Sequence, residues 1–421
     1  MISGDGHAVD RLVKTIFKAC PDRRHASRDK PQQAKQMEDV LSTEKSGILM
    51  NKSASSTSKE HYQAGRDLAL SLRNGREVIL SSARGPEANY LLDAPDDVVR
   101  QNPDSFNTNN VATMFTKQWV GIRQACGAFS GHKIAIDGHH KFDAIEIGEI
   151  ATTLRDLKID HVIYHGMASS TSSLLRGLKI LSPSTKFYGV WHGTMAGWSS
   201  DEELALFREF LALADDKVYD RLGFLRQGMQ NIHPKAYGCI LYNLPPSASI
   251  KRSYMPFAKR PIRCIFPSWN NAWKNMYTNL LAANISPIVG DIFVYYKPQL
   301  ESLDKVRFVE FGGHDAHFQR VAKMDLCLNV SVNDCQPMAE LEGLSVGTPS
   351  LRNDWNLDLE TPSVYEKVFT VKSYLNVNAI AEKILEIADL DPNYIYEITK
   401  AHKEILISAS RQRYTAFLGG A

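Results

Sequence analysis

Residues 325–353 read DLCLNVSVNDCQPMAELEGLSVGTPSLRN and hold two acids, Asp334 and Glu342, with seven residues between them. Ahead of them, Leu326, Leu328 and Val330 form an apolar run bounded by polar residues, the pattern of a short buried strand in a parallel sheet. Asp334 follows in a loop just before Pro337, a residue favoured at the first helical position, and 338–346 has helix-forming composition with apolar residues on one face. Gly347 stops that helix, Pro349 forbids its return, and Ser350 and Leu351 begin the next strand. The stretch is therefore a βαβ unit whose loop lies at the carboxyl end of its first strand, where open α/β sheets bind ligands. Free N–H groups at the helix start, on Met338 and Ala339, favour an anion such as a diphosphate. Glu342 sits one turn further along, where a carboxylate can accept hydrogen bonds from a pair of sugar hydroxyls. Glu340 is expected on a different, exposed side.

Histidines end two earlier apolar runs. Gly189-Val190-Trp191-His192-Gly193-Thr194 closes one, and the neutral imidazole of His192 can hydrogen-bond a sugar hydroxyl from a strand-end position; His165-Gly166 ends the preceding run in the same way. Trp191 and Trp198 either stack on a sugar or fill core, and core is the plainer reading. His139 and His140 with Asp137 and Asp143 make a weak metal signal, because adjacent loop residues rarely both ligate one ion and no third ligand is suitably spaced. Gly312-Gly313 is too short to be a phosphate loop. Cys335 lies inside the Asp334 loop, with nothing beside it in sequence to lower its pKa.

Asp334, seven residues, then Glu342, followed by Gly347-Thr348-Pro349, resembles the E-x7-E signature of retaining glycosyltransferases of the GT-B fold, especially family 4. The resemblance covers about residues 160–350 and is strongest at 325–350. It implies an α/β protein of two Rossmann-like, doubly wound domains facing each other across a cleft. The implied activity moves a sugar from a nucleotide donor, UDP- or GDP-linked, to a glycan or lipid-linked acceptor in surface polysaccharide or lipopolysaccharide synthesis, with no cofactor and no bound metal. By position, Glu342 matches the acid that holds the ribose hydroxyls, and Asp334 takes the place of the first Glu, near the donor sugar, one methylene shorter. The family places an Arg and then a Lys around the first loop of the second domain to neutralise the donor diphosphate. Lys274, in FPSWNNAWKN, matches the Lys, whereas Trp269 or Asn270 stands where the Arg is expected. On the same footing Asp334 and His192 are the catalytic candidates. Glu342, Lys274, Met338, Ala339, Ser268 and His314 are the donor-binding ones, and His165 and Trp191 lie on the acceptor side. A sugar-nucleotide epimerase of the same fold, or an inactive binding subunit, are the alternatives; the missing Arg and the shorter acid favour the latter.

Elements of the right kind surround these residues. A chain of 421 residues exceeds the usual single domain. With 43% hydrophobic and 23% charged residues it has an ordinary globular composition, and a net charge of +2 gives no electrostatic reason to expect a nucleic-acid partner. Six scattered cysteines without a C-x-x-C pair suit reduced thiols and a cytoplasmic setting. No run approaches the roughly 18 to 20 apolar residues of a membrane span.

Residues 1–60 read as a polar extension, with an amphipathic helix at 11–20 that packs on the first domain or, as a second reading, touches the inner face of a membrane. Residues 61–247 read as the acceptor domain, with strands at 78–80, 134–136, 162–164 and 187–190, helices at 147–157, 170–181 and 201–213, a strand at 217–219, a helix from Arg221 and a strand ending at Leu241. Residues 248–395 read as the donor domain, with strands at 263–266, 292–295, 306–311, 326–330, 350–351 and 368–371, and 396–421 as a helix returning to the first domain.

Overall fold

A computed structural model describes residues 77–80, the latter as backbone, and 110–419 apart from 130, 249, 251, 253, 271, 301, 356 and 360–362. All of these belong to one compact unit, His61–Ala421. The amphipathic stretch 11–20 lies outside the described residues.

The first sheet has six parallel strands in the order β1-β3-β2-β4-β5-β6: β1 Glu77–Leu80, β2 Val111–Thr116, β3 His132–Ile136, β4 His161–His165, β5 Lys186–Trp191 and β6 Arg221–Phe224. Among the described residues four helices accompany it: α1 Val120–Gly127, α2 Ala144–Asp156, α3 Thr171–Leu181 and α4 Asp201–Asp215. The second sheet has five parallel strands in the order β11-β10-β7-β8-β9: β7 Ile262–Phe266, β8 Val289–Val294, β9 Val306–Phe308, β10 Leu326–Asn329 and β11 Ser350–Arg352. Its helices are α5 Met276–Ile285, α6 Gly313–Val321, α7 Met338–Ser345, α8 Val364–Phe369 and α9 Val377–Ala388, and the chain closes with α10 Pro392–Phe417. These are two Rossmann-like, doubly wound sheets, the α/β class expected of a GT-B protein.

Strand order decides where a ligand can sit. In the second sheet the chain runs outward from β7 to β8 and β9, then returns to place β10 on the other side of β7. The loops leaving β7 and β10 therefore diverge at a topological switch point, which opens a crevice at the carboxyl ends of both strands. In the first sheet the corresponding point lies between β2 and β4.

α7 shows how the sequence holds one wall of that crevice. Leu341 and Leu344 are buried against Leu328 and Leu351 of the sheet, and each contributes roughly 1.5–3 kcal/mol through burial. A Cβ at Gly343 would lie 2.8 Å from the carbonyl oxygen of Thr348, so the missing side chain lets the helix lie down on the β11 connection. Gly347, at φ 75°, takes the left-handed turn that ends it.

Several elements differ from the sequence expectation. β2 was not expected, yet all six of its residues are buried between two neighbours; Thr113 and Thr116 broke the apolar run by which a central strand is recognised. Residues 217–219 form a turn, with Lys217 at φ 62°, and the strand begins at Arg221, where a helix was expected. Pairing with Tyr188, Gly189, Val190 and Trp191 of β5 outweighs local preference there. Leu241 lies in no strand, although its N–H donates to the Phe224 carbonyl over 2.8 Å. Of the expected strand at 368–371, Val368 and Phe369 end α8, because Ser363 and Glu366 form a reciprocal capping box that starts a helix, and Thr370 alone bridges to Arg352.

α10 packs along the first sheet. Ile407, Tyr414, Phe417 and Leu418 share a core with Phe129, Ile163, Tyr188 and Val190, and the Arg221 guanidinium donates to the carbonyls of Ala416 and Phe417 over 2.9 and 2.7 Å. Among the described residues no helix is long and apolar enough to cross a membrane.

Candidate functional site

The loop after β7 carries Ser268, which is buried, and ends in a 3-10 turn, Ala272–Lys274, just before α5. Asn275 follows with φ 56°, a left-handed conformation that Asn tolerates. Its amide donates to the carbonyls of Val330 and Tyr374 over 3.1 and 2.7 Å, and Asn279 exchanges a second pair of bonds with the backbone of Val330. The β7 and β10 loops are thereby tied together, and Lys274 forms an ion pair with Asp334.

The first sheet meets this loop from the other side. Arg226, two residues beyond β6, donates to the main-chain carbonyl of Asp334, and Asn333 donates to the Thr194 hydroxyl. The Cys335 thiol donates to the carbonyl of His192 over 3.0 Å. Gln336 is a buried stitch: its amide donates to the carbonyls of Leu225 and Leu241 over 3.0 and 2.7 Å, and its oxygen accepts from the Asn243 N–H at 2.7 Å. His192, Lys274, Arg226 and Asp334 thus converge on one loop, with the start of α7 four residues further on. No side chain caps α7 at Pro337, and Met338 and Ala339 are half-buried there.

Glu342, buried on the first turns of α7, accepts from Nε2 of His317 at 3.1 Å. Nδ1 of the same ring lies 2.7 Å from the hydroxyl of Tyr295, whose pKa burial pushes up to about 12. His314, one turn earlier on α6, is bonded instead to the amide of Gln124 on α1, with Nδ1 at 3.0 Å.

Two acceptor-side expectations are corrected by burial. Trp191 is 2% exposed and packs edge-on to Phe207 at 4.9 Å, so it fills core. His165 is 0% exposed, beneath the rings of Phe129 and Tyr414, and reaches a ligand only through His192, whose Nε2 lies 2.8 Å from its own Nδ1. Burial holds both imidazoles neutral, that of His192 lowered to about 3 and that of His165 well below the ordinary range. Burial pushes the Cys335 thiol up to about 12, which leaves it a hydrogen-bond donor rather than a nucleophile.

Glu340 is also corrected. It is 3% exposed and sits in a buried cluster with Arg352 at 3.3 Å and the indole N–H of Trp355 at 2.8 Å; Arg352 in turn pairs with Glu366 at 3.5 Å. The histidine and aspartate group near 139 is structural. His140 bonds Glu146 at 3.0 Å, Asp137 pairs with Lys117 at 2.8 Å, and Asp143 caps α2. A cavity of about 590 Å3 opens at the opposite end of α7, beside Ser345, Gly347, Tyr396 and Lys400, and contains none of the candidate residues.

Sequence reasoning missed Arg226, Gln336, Tyr295 and His317. His317 had one available signal, its position one helical turn from His314 on the face that α6 buries. Arg226 had only its place just past a strand that was itself read as helix.

No family profile and no curated protein matches the chain. Among solved structures it is similar to S. aureus TarM, crystallised with UDP, at 14% identity over 65% of this chain and 58% of that one, with a TM-score of 0.44. It is similar to UDP-GlcNAc 2-epimerase from Neisseria meningitidis, bound to UDP-GlcNAc, at 12% identity over 74% and 100% of the two chains, with a TM-score of 0.45. It is also similar to sucrose-phosphate synthase from Thermosynechococcus elongatus at 12% identity over 74% and 97%, with a TM-score of 0.47. The chain spans little more than half the length of TarM. Identities this low transfer no residue role.

Proposed function

We propose that the protein is a retaining glycosyltransferase that takes a sugar from a UDP- or GDP-linked donor and passes it to a glycan or lipid-linked acceptor, of the kind used in surface polysaccharide or lipopolysaccharide synthesis. What carries the reading is the meeting of Lys274, Arg226 and the uncapped start of α7 around Asp334, at the switch point of the second sheet. Breaking the bond between the anomeric carbon and the diphosphate leaves negative charge on the leaving oxygen. Lysine and arginine charges and helix N–H groups stabilise it, and we assign them that work in place of a resident metal. Arg226 supplies, from the first sheet, the second cation that Trp269 or Asn270 does not.

Glu342 is the acceptor for the ribose hydroxyls in this reading, with Asp334 beside the donor sugar. His192, neutral and bonded through Nε2 to His165, has Nδ1 left to address a sugar hydroxyl. Ser268 and His314 border the donor side, and no chemistry is assigned to them.

The deciding experiment is Glu342→Ala assayed for nucleotide-sugar hydrolysis and transfer, with the fold checked by circular dichroism. Loss of turnover with an intact fold is expected, and unchanged turnover sinks the assignment. If the wild type interconverts free nucleotide sugars without an acceptor, the epimerase reading replaces it. If it binds neither UDP nor GDP, the inactive-subunit reading does.

A further inference from the structure

Glu342 cannot hold ribose hydroxyls unless its carboxylate is itself held, and the structure shows what holds it. An ionised carboxylate only accepts hydrogen bonds, so Nε2 of His317, 3.1 Å from Oε2 of Glu342, carries the proton. In the neutral ring Nδ1 is then an acceptor, and the Tyr295 hydroxyl, 2.7 Å away, is its donor. Burial keeps that hydroxyl protonated. With the ring neutral, the chain Tyr295–His317–Glu342 has a single direction of donation. His317 is 2% exposed, with its ring 5.9 Å from that of Phe311 and 5.7 Å from that of Phe318, and the Arg320 guanidinium lies 5.2 Å over the Tyr295 ring. Three elements, β8 with its following turn, α6 and α7, are joined at this point. The carboxylate is fixed in orientation, on a side chain that is still 11% exposed.

We infer that His317 is the positioning residue of a nucleoside site, holding the Glu342 carboxylate toward a ribose diol, with Tyr295 fixing the tautomer in which it does so. The inference rests on the donor reading above and deepens it: recognition of the ribose, its 2′-hydroxyl included, depends on His317 and Tyr295 as well as on Glu342. A carboxylate deprived of its buried donor rotates or takes up a proton, and in either state it stops discriminating between ribose and deoxyribose.

The test is calorimetric titration of the full chain with UDP, GDP, their 2′-deoxy counterparts and inorganic pyrophosphate. Wild type is expected to bind UDP or GDP at least ~10-fold more tightly than the deoxy form, the scale of a lost hydrogen bond to a charged group. His317→Leu is expected to bring the two affinities within ~3-fold while leaving pyrophosphate binding unchanged, which a collapsed site does not do. His317→Gln, which keeps an N–H donor, is expected to restore most of the preference, and Tyr295→Phe to lower it in part. Should His317→Leu fail to fold, the Gln and Phe variants carry the test, and a full ribose preference in Tyr295→Phe together with none in His317→Gln overturns the inference. Ribose preference retained in a folded His317→Leu also overturns it and leaves the donor reading standing. Failure of the wild type to bind either ribonucleotide overturns both.

Discussion

Nδ1 of His165 and Nε2 of His192 stand 2.8 Å apart, across the ends of β4 and β5. One ring donates and the other accepts, burial holds both neutral, and the pair fixes which nitrogen of His192 is left for a ligand. Tyr414 of α10 stacks over His165 with 6.4 Å between ring centroids, which makes the last helix a support for a residue at the other end of the chain's fold.

That neutrality predicts acid sensitivity. Both histidines have folded pKa values lowered from the ordinary 6.5 by burial. The unfolded chain binds protons below pH 6.5 that the native pair refuses. Stability is therefore full above 6.5 and falls as the pH drops toward the lowered values. For His192, held near 3, the gap at pH 5 is about 1.5 pH units, or about 2 kcal/mol, and His165 acts in the same direction. Denaturant midpoints at pH 7.5 and pH 5 should show the loss, and His165→Phe, which suits the aromatic surroundings, should make it smaller.

Arg352 predicts a large stability effect at a distance from the chemistry. It is 1% exposed and pairs with Glu340 and Glu366, the first of which burial pushes toward protonation. Arg352→Leu leaves the buried carboxylate of Glu340 and the part-buried one of Glu366 without their cation and should cost about 3–5 kcal/mol. Glu340→Gln, which keeps an acceptor for the Trp355 indole, should cost less. Thermal melts of the two variants give the comparison, and equal losses contradict this account of the cluster.

Much of the second sheet was legible in the sequence because stretches such as 262–266 and 326–330 are mostly apolar between polar ends, and because Gly347 and Pro349 punctuate α7. β2 was hidden by its threonines, and β6 by residues that take a strand only when β5 is beside them. Within the site, Asp334 and Glu342 were picked out by their spacing along one loop and the helix after it, and Lys274 by the family resemblance. Arg226 and His317 were not, since they reach the Asp334 loop and Glu342 from residues 108 and 25 positions away. Pairings of that kind are set by tertiary packing and leave no local pattern. Glu340 was misread for the same reason: its partner Arg352 comes from the neighbouring strand.

Gly343 should not tolerate a side chain. The added Cβ would lie 2.8 Å from the Thr348 carbonyl and 3.3 Å from the Cys327 sulfur, and the nearer neighbour is backbone. Gly343→Ala gains helix propensity but forces α7 off the sheet, and overpacking of this kind costs about 1–3 kcal/mol. A lower melting temperature together with weakened UDP binding is the expected pair of outcomes, because Glu342 and the α7 start move with the helix.

Lys274 and Asp334 predict opposite effects on binding and turnover. Their ion pair is half-buried, with side chains 24% and 13% exposed, and it must open before Lys274 can face a diphosphate. Opening such a pair costs on the order of 1 kcal/mol. Asp334→Asn removes that cost, so UDP should bind roughly 5-fold more tightly, while sugar transfer falls because the carboxylate beside the donor sugar is gone. Lys274→Met should do the reverse for affinity and weaken UDP binding by ~10-fold or more, as expected when a cation leaves a phosphate. Raising ionic strength should weaken UDP binding to wild type and much less so to Lys274→Met, since screening acts on the charge that the variant lacks. Calorimetry with UDP at two salt concentrations, beside a transfer assay, separates these effects. Weaker UDP binding in Asp334→Asn would mean that the aspartate itself holds the nucleotide and that the pair is not a lock on Lys274.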